Sequence, residues 1–330
     1  MDTIQEFNNI LRSFNIKANC INVNEIDGYK YYDLKLSPSA KVKDVQKYSD
    51  EISLALRSPC KPSVRVLHSE GVVRLEFVTA RKRPLRLFDY FVNHDMIAGD
   101  LVCLLGQTVD GQRMWVDLAA NPHMIVAGTT GSGKSTLLHN IIANTLNYNT
   151  ADIYLVDPKR IEFIEYDGKI QNVQVRYSYE QAMDLINAMN QVMEMRYNSI
   201  RLGILSVDKM KPILIIIDEF ADLIMQDQNQ AFYTGLCRLA QKCRAAKIHI
   251  ILSTQRPSVN IVNGTIKANF PARIACRVAS HVDSKVVLDT TGAESLLGKG
   301  DAFIRDSFRD KERFQVAYTN ATEVCNYFGA

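Results

Sequence analysis

The chain has 330 residues, of which 47% are hydrophobic and 23% charged, as is ordinary for a soluble globular protein of about two domains. Lys and Arg number 39 against 36 Asp and Glu, so the net charge of +3 neither requires nor excludes nucleic acid as a partner. Seven dispersed cysteines with no C-x-x-C pair give no support to a zinc ribbon or thioredoxin-like chemistry, and they suit reduced thiols in a cytoplasm.

The sequence gives no sign of a membrane segment. No apolar run approaches the roughly 20 residues that span a bilayer. The start, Met1-Asp2-Thr3-Ile4-Gln5-Glu6, lacks the basic and apolar regions of a signal peptide. We therefore expect a cytoplasmic chain that does not insert into a membrane.

The first part of the chain has the pattern of a small α+β unit. Helices are expected where apolar residues recur with helical spacing, and strands where apolar and polar residues alternate. Asp27-Gly28 is a hairpin-type turn signal between the first two strands. The predicted elements are a helix at 4–13, strands near 18–25 and 30–36, a helix over about 43–57, and strands at 64–67 and 73–77.

A domain boundary is expected close to Arg81-Lys82-Arg83-Pro84. This basic segment with a proline favours a solvated linker over a phosphate contact. We therefore predict one domain at 1–85 and a second at 86–330.

From about residue 100 onward, strand-like and helical patterns alternate, which predicts a mainly parallel sheet covered by helices on both faces. The run 213–217, Ile-Leu-Ile-Ile-Ile, predicts a strand buried on both faces. The other predicted strands are 152–156, 248–252, 272–278, 302–305 and 313–318, the predicted helices are 180–203 and about 229–246, and a short helix-like tail follows about 318.

The stretch Gly128-Thr129-Thr130-Gly131-Ser132-Gly133-Lys134-Ser135-Thr136 matches G-x-x-x-x-G-K-[ST], the phosphate-binding P-loop. A strand-like run precedes it and a helical pattern follows, as the motif requires. The glycines let backbone N–H groups turn toward phosphates, and the helix N-terminus adds its dipole. Lys134 would reach the β- and γ-phosphates of ATP, and the Ser135 hydroxyl would be a ligand of Mg²⁺.

Two acids, Asp218 and Glu219, directly follow the buried run 213–217 and match a Walker B pattern. Asp218 would hold Mg²⁺ beside Ser135, and Glu219 would orient and deprotonate the attacking water. The alternative is an acid pair that only favours a helix N-terminus. The P-loop upstream favours the catalytic interpretation.

A polar run, Ser253-Thr254-Gln255-Arg256, ends the predicted strand at 248–252. Polar groups at the carboxyl edge of a parallel sheet lie where ligands bind. Gln255 could bond both the γ-phosphate and the water, although a polar turn before Pro257 would have the same pattern. The whole set favours hydrolysis over transfer of phosphate to a small molecule.

Taken together, these motifs resemble the FtsK/SpoIIIE family of DNA translocases. The resemblance covers most of 90–318 in order, and the first 85 residues resemble the small α domain of the family more weakly. The stretches that carry it are Val126-Ala-Gly-Thr-Thr-Gly-Ser-Gly-Lys-Ser135, Val156-Asp-Pro-Lys159, Ile217-Asp-Glu-Phe-Ala-Asp-Leu223, Leu239-Ala-Gln-Lys-Cys-Arg244, Ser253-Thr-Gln-Arg-Pro-Ser-Val259, Gly264-Thr-Ile-Lys-Ala-Asn269, Gly292-Ala-Glu294 and Leu296-Leu-Gly-Lys-Gly-Asp301.

The resemblance implies a RecA-like P-loop fold and a hexameric ring that threads double-stranded DNA through its centre. It places ATP between subunits, where an arginine from a neighbour stabilises the transferring phosphoryl group. Arg244 matches that arginine by position. The alternative is that Arg244 belongs to a solvated basic helix face, because the stretch 236–247 holds four bases and no acid.

The family also places DNA-backbone contacts on loops that face the channel. By position these are Arg256, Lys267, His281, Ser284 and Lys285. Residues 256–300 contain six bases against three acids, an excess that a ring would repeat around one channel. Such contacts bind phosphates rather than base edges, as a motor indifferent to sequence requires. His281 stands where the family leads us to expect Lys, so a contact there would be weaker or sensitive to pH.

The pattern departs from the family in having neither membrane spans nor a winged-helix γ domain. Three hypotheses follow. The favoured one is an ATP-driven translocase of double-stranded DNA, for segregation, transfer or packaging. The others are an ATPase of a protein secretion system and a scaffold for DNA transfer that binds ATP without hydrolysing it.

Overall fold

The structure is a computed structural model, and it describes residues 3–26, 28–58, 61–78, 85–92, 101–148 and 151–329. The predicted linker Arg81-Lys82-Arg83-Pro84 lies outside the described residues, as does Asp27 of the predicted hairpin turn. In the described ranges, no helix combines the length and the apolar character that crossing a bilayer requires.

The first 78 residues form a four-stranded antiparallel sheet, in the order β1-β2-β4-β3, with helices packed against it. Phe7 and Leu11 on the first helix are buried against Tyr32 and Leu34 of the sheet. Ile26 pairs with Tyr29, and Gly28 between them has a φ of +86°, as the predicted hairpin requires. The elements are α1 (Thr3–Ser13), β1 (Ala18–Ile26), β2 (Tyr29–Leu36), α2 (Val42–Lys47), α3 (Ser49–Ala55), β3 (Ser63–Leu67) and β4 (Val72–Val78).

The single helix predicted over 43–57 is wrong, because it is two short helices, α2 and α3. Tyr48 lies between them with φ −99° and ψ 17°. The Ser49 hydroxyl donates a hydrogen bond of 2.8 Å to the carbonyl oxygen of Gln46. A serine that bonds a nearby carbonyl competes with the helical ladder, which explains the break.

The remainder of the described chain forms a second sheet of ten strands with helices on both faces. Short 3₁₀ turns lie at Ile164–Tyr166, Val207–Lys209 and Ala293–Ser295. The elements are α4 (Leu87–Val92), β5 (Val102–Thr108), β6 (Arg113–Asp117), β7 (His123–Ala127), α5 (Lys134–Tyr148), β8 (Asp152–Val156), β9 (Val173–Arg176), α6 (Tyr179–Arg201), β10 (Ile213–Ile217), α7 (Phe220–Gln226), α8 (Ala231–Lys242), β11 (Ile248–Thr254), α9 (Gly264–Asn269), β12 (Ala272–Cys276), α10 (His281–Leu288), β13 (Asp301–Arg305), β14 (Glu312–Val316) and α11 (Ala321–Phe328).

The order in this sheet is β6-β5-β14-β13-β12-β7-β11-β10-β8-β9. The strands from β12 to β9 are parallel to one another, and the strands from β6 to β13 pair antiparallel. Every residue of β10 is buried, with Leu214 and Ile216 in one core and Ile213, Ile215 and Ile217 in the other. The predicted α/β class with a mainly parallel sheet is confirmed.

Three strands were not predicted from the pattern: β5, β6 and β9. The hairpin of β5 and β6 turns at Asp110-Gly111, the same turn signal as Asp27-Gly28, and Gly111 has a φ of +82°. The predicted helical tail is α11, whose Val324 and Cys325 are buried in the core beside α5. It therefore serves as a packing element of the sheet unit.

Candidate active site

The carboxyl ends of β7, β10 and β11 lie side by side, because these strands are parallel neighbours. The P-loop follows β7, Asp218 and Glu219 follow β10, and Gln255 follows β11. The sheet therefore brings together the three motifs that lie far apart in sequence, at the edge where ligands bind in parallel sheets.

The glycines of the P-loop are required by conformation and by close packing. Gly131 and Gly133 have φ values of +74° and +101°, where a side chain would be strained. A Cβ on Gly133 would lie 2.2 Å from the backbone nitrogen of Gly300, and one on Gly128 would lie 2.8 Å from the Cβ of Cys276. The loop is thus held against its neighbours with its backbone close to any bound phosphate.

Lys134 begins α5 and is buried, with 4% of its surface exposed. Its ammonium group donates to Asp218 Oδ1 and, at 2.8 Å, to Ser253 Oγ. The Ser253 hydroxyl in turn donates to Asp218 Oδ1 at 3.1 Å. The structure thus brings Lys134 and Asp218 together and adds Ser253, which belongs to the polar run 253–256 at the end of β11 but had no predicted role.

Glu219 is buried in a left-handed conformation, with φ +49° and ψ 58°. It is the residue at the N-cap of α7, as the alternative of an acid pair at a helix N-terminus also expects, but its side chain makes no capping hydrogen bond. Its carboxylate accepts from Thr254 Oγ1 at 2.8 Å and from the backbone N–H of Gln255 at 3.3 Å. Strained backbone at such a position is typical of functional sites.

The ammonium group of Lys159 is the positive charge that lies beside Glu219. Its ammonium lies 3.3 Å from a Glu219 oxygen and 3.4 Å from Asp222 Oδ2. Burial alone would lower the pKa of Lys159, but the two carboxylates raise it above its ordinary value. The ion pair therefore partly offsets the charge of the buried Glu219 carboxylate.

Gln255 bridges the second motif and the P-loop. Its backbone N–H contacts Glu219, and its side-chain oxygen accepts from Thr130 Oγ1 at 3.2 Å. Gln255 therefore connects the P-loop with the acid that follows β10.

Sequence reasoning missed three side chains beside Ser135. The Ser135 hydroxyl donates to Glu162 Oε2 at 2.6 Å, and Glu162 Oε1 lies 2.9 Å from His139 Nε2. The His139 Nδ1 lies 2.9 Å from the Tyr166 hydroxyl. The spacing of Ser135 and His139, four apart on one helix, was a usable signal, whereas nothing in the spacing of Glu162 pointed to the P-loop.

A cavity of about 930 Å³ opens over the P-loop. Its volume lies within the range of nucleotide and cofactor sites. Its lining includes the P-loop with Gln255 and Glu162, and it also includes the apolar or aromatic side chains of Val78, Leu85 and Tyr318. Polar groups for phosphates together with apolar surface for a base suit a nucleotide.

The oxygen donors near Ser135 fit Mg²⁺. The Ser135 hydroxyl and the Asp218 carboxylate supply oxygens, and Mg²⁺ takes one or two carboxylates with phosphate oxygens and water. Within the described ranges there is no ready-made group of three metal-binding side chains, and such a group is not what Mg²⁺ beside a nucleotide requires.

Arg244 lies away from this site. It is exposed in the turn between the end of α8 at Lys242 and the start of β11 at Ile248. It is therefore at the amino edge of the sheet, while the P-loop is at the carboxyl edge. A seven-residue strand spans about 23 Å, so Arg244 does not reach the cavity of its own chain.

The predicted DNA-contacting residues have different surroundings. Arg256, His281 and Lys285 are exposed, whereas the Lys267 ammonium donates to Asp289 Oδ1 at 2.8 Å. Ser284 is buried, and its hydroxyl donates to the carbonyl of Thr290 and accepts from the N–H of Ala293. Its hydroxyl thus fixes the turn after α10 and does not point to a surface that DNA could reach.

Asp289 is the centre of a basic cluster rather than an isolated acid. Arg273 and Arg305 also bond its carboxylate, Arg305 at 2.9 Å. Burial opposes its ionisation, but the hydrogen bonds from Lys267 and Arg273 lower its pKa below the ordinary value. Lys267 is therefore partly neutralised in this conformation.

Comparison with known proteins gives a consistent result. The family model described as FtsK/SpoIIIE matches residues 95–209 and 202–259. The DNA translocase FtsK of Haemophilus influenzae is 32% identical, over 99% of this chain and 70% of that protein. The DNA translocase SftA of Bacillus subtilis is 31% identical, over 95% of this chain and 35% of that protein. The chain also spans only 40% of the FtsK of Chlorobaculum tepidum.

Among solved structures, the pCW3 conjugation coupling protein TcpA, in its monomer form with ATPγS, superposes with a TM-score of 0.68. It is 22% identical, and the match covers 98% of this chain and 99% of that one. The Type VII secretion ATPase EccC of Thermomonospora curvata has a TM-score of 0.56 at 20% identity, over 68% of this chain and 30% of that one. These likenesses show a shared fold, and the sequence matches show that the chain belongs to the FtsK/SpoIIIE family.

Proposed function

We propose that this chain is the ATP-hydrolysing motor of a double-stranded DNA translocase and that it works as a homo-hexameric ring. The observation that carries the proposal is that the predicted catalytic residues lie in two separate places in the chain. The Walker residues cluster at the carboxyl edge of the sheet, and Arg244 lies at the opposite edge.

This separation supports a site shared between subunits. Among the residues that line the cavity in the described chain, the cations are Lys134 and Lys299, and none is an arginine. A neighbour in a ring would bring its own Arg244 to the open side of the cavity. The arginine would then act only when subunits are assembled, which couples hydrolysis to the ring.

The roles within the chain follow from the geometry. Backbone N–H groups of residues 128–136 would hold the phosphates of ATP, with Lys134 on the β- and γ-phosphates. Ser135 and Asp218 would hold Mg²⁺, which would neutralise phosphate charge. Glu219, in its strained and buried position, would take a proton from the attacking water, and Gln255 would orient that water.

For the DNA contacts, we propose Arg256, His281, Lys285 and, once released from Asp289, Lys267. The exposed cations suit phosphate contacts that are indifferent to sequence. We leave the Ser284 hydroxyl out of this set because it is buried and bonded within the chain.

We also propose two domains, at 1–85 and 86–330. The support is that the two sheets share no strand, although a polar pair, Arg65–Glu312 at 2.9 Å, and a small apolar cluster with Val109 join them. A cytoplasmic location is supported by free thiols at the six cysteines in the described ranges.

The test is the rate of ATP hydrolysis with and without long duplex DNA at low salt. We expect duplex DNA to raise the rate, and we expect Glu219→Gln to remove both the basal and the stimulated rate. No stimulation by duplex DNA would contradict the proposal. Stimulation by a protein substrate instead would favour the secretion hypothesis. ATP binding without hydrolysis in the unaltered chain, with an unchanged phenotype in Glu219→Gln, would favour the scaffold.

A further inference from the structure

The segment that follows β8 carries a carboxylate into the cavity. Its backbone is fixed by Asp157, whose Oδ2 accepts from the N–H groups of Glu162 and Phe163, each at 2.9 Å. Asp157 itself is fully buried. Glu162 therefore projects from a held backbone toward the start of α5, and it is one of the residues that line the cavity.

Both oxygens of Glu162 are used. Oε2 accepts the hydroxyl hydrogen of Ser135 at 2.6 Å, and Oε1 lies 2.9 Å from His139 Nε2. The Tyr166 hydroxyl, 2.9 Å from His139 Nδ1, fits a ring that donates from Nε2 and accepts at Nδ1. Hydrogen bonds therefore connect the buried Tyr166, through His139 and Glu162, to Ser135 at the cavity.

A hydroxyl that ligates a cation must point its lone pairs at the cation and its hydrogen elsewhere. With the hydrogen of Ser135 held by Glu162, the lone pairs are left for the ligand. We propose, resting on the proposed function, that Glu162 is a positioning residue that orients the Ser135 hydroxyl for Mg²⁺, and that His139 and Tyr166 hold Glu162 in place.

The burial and charge of the set agree with this role. Burial alone would raise the pKa of Glu162, but hydrogen bonds from His139 and Ser135 lower it, so the carboxylate is kept as an acceptor. Partners that orient a metal ligand typically change metal affinity by about 10- to 100-fold when removed.

The experiment measures binding rather than turnover. A fluorescent ATP analogue is titrated onto the full chain, first in EDTA and then at increasing Mg²⁺. For Glu162→Ala we expect the Mg²⁺ concentration that gives half of the tightening to rise by about 10- to 100-fold, with the affinity in EDTA unchanged. Glu162→Gln keeps an acceptor oxygen, so its shift should be smaller.

Glu165→Ala is the matched control. It removes a carboxylate from the same segment, but that carboxylate accepts from Thr322 at 2.7 Å and not from the P-loop. Its Mg²⁺ dependence should equal that of the unaltered chain. His139→Leu should raise the half-effective Mg²⁺ concentration by part of the shift seen for Glu162→Ala. His139→Gln keeps an N–H donor, so its Mg²⁺ dependence should return to that of the unaltered chain.

The outcomes separate the two proposals. If the unaltered chain binds no nucleotide, the proposed function fails. If binding tightens with Mg²⁺ and Glu162→Ala does not change that dependence, only the role of Glu162 is overturned. Equal weakening of Glu162→Ala in EDTA and in Mg²⁺ would also overturn it, because that result marks a purely structural contact.

Discussion

The nucleotide edge and the predicted DNA-contacting segments contrast in how their charges are held. At the nucleotide edge, Lys134, Asp218 and Glu219 are buried and each is bonded within the chain. On the other segments, Lys285 and Arg256 are exposed, while Lys267 is tied to Asp289. The first region therefore has its geometry fixed within the chain, whereas the exposed side chains of the second have no such restraint in this structure.

This difference shows for which residues a family motif predicts the structural surroundings. Buried charges must be paired or hydrogen-bonded, so the fold itself restricts them to one arrangement. Exposed cations are solvated in many arrangements, and position in sequence alone did not distinguish the buried Ser284 from the exposed Lys285. Each of the following experiments would break or sharpen this contrast.

The largest effect is expected for Arg244→Ala. If a neighbour supplies this arginine, kcat for ATP hydrolysis should fall by about 10³- to 10⁵-fold. Mixing Arg244→Ala with Lys134→Ala should restore part of the rate, because some junctions then contain an intact site beside an intact arginine. Arg238→Ala is the control, because it removes a nearby cation on α8 that pairs with Glu194 of α6 at 3.1 Å. A rate unaffected by Arg244→Ala would refute a shared site.

The next effect is expected for Glu219→Gln. Loss of a general base costs about 10²- to 10⁴-fold in rate, while the volume of the side chain is kept. Nucleotide binding should persist, as measured with a fluorescent ATP analogue. Asp222→Asn removes the other carboxylate beside Lys159 and should leave the rate within a few-fold. Equal losses in both variants would mean that neutralising Lys159, rather than the chemistry of Glu219, sets the rate.

A buried carboxylate outside the site sharpens the contrast. Glu76 on β4 is as buried as Glu219, but within the described chain neither of its oxygens has a hydrogen bond, and Arg65 Nη1 lies 3.9 Å away. Burial raises the pKa of Glu76 from 4.5 to about 7, against the lowering effect of Arg65, Arg313 and Arg74. The folded chain therefore binds a proton that the unfolded chain releases in this range.

The sign of the pH dependence follows. Between about pH 4.5 and about pH 7 the folded state holds more protons, so the free energy of unfolding should fall as pH rises, by on the order of 3 kcal/mol at most. Urea unfolding of Glu76→Gln should lack this decline. Glu51→Gln, at an exposed position on α3, should keep it. A parallel pH dependence in Glu76→Gln and the unaltered chain would exclude Glu76 as its source.

The smallest effect is expected for Lys285→Ala. Loss of one phosphate contact should weaken duplex binding by about tenfold or less and reduce the slope of log affinity against log salt by about one. The exposed Lys35 on β2 serves as the control for the loss of a charge alone. If Lys35→Ala and Lys285→Ala change the salt slope equally, Lys285 on α10 makes no specific contact with a DNA phosphate.

Much of the fold could be predicted because its signals are local. The P-loop between β7 and α5, the buried strand β10 and the hairpin of β1 and β2 each follow from a run of residues that has one stable arrangement. The break at Tyr48 was missed because a side-chain hydrogen bond decides it. The edge strands β6 and β9 were also missed, as was β5, which lies between β6 and β14.

By itself, the sequence determined the family, the motif that binds phosphate and the acids that follow β10, since spacing within a motif is fixed by backbone geometry. Only the tertiary structure decided that Ser253, Glu162 and His139 join this site and that Arg244 lies at the far edge of the sheet. The physical reason is that parallel strands bring distant segments to one edge, and which side chains then meet depends on strand order and loop path.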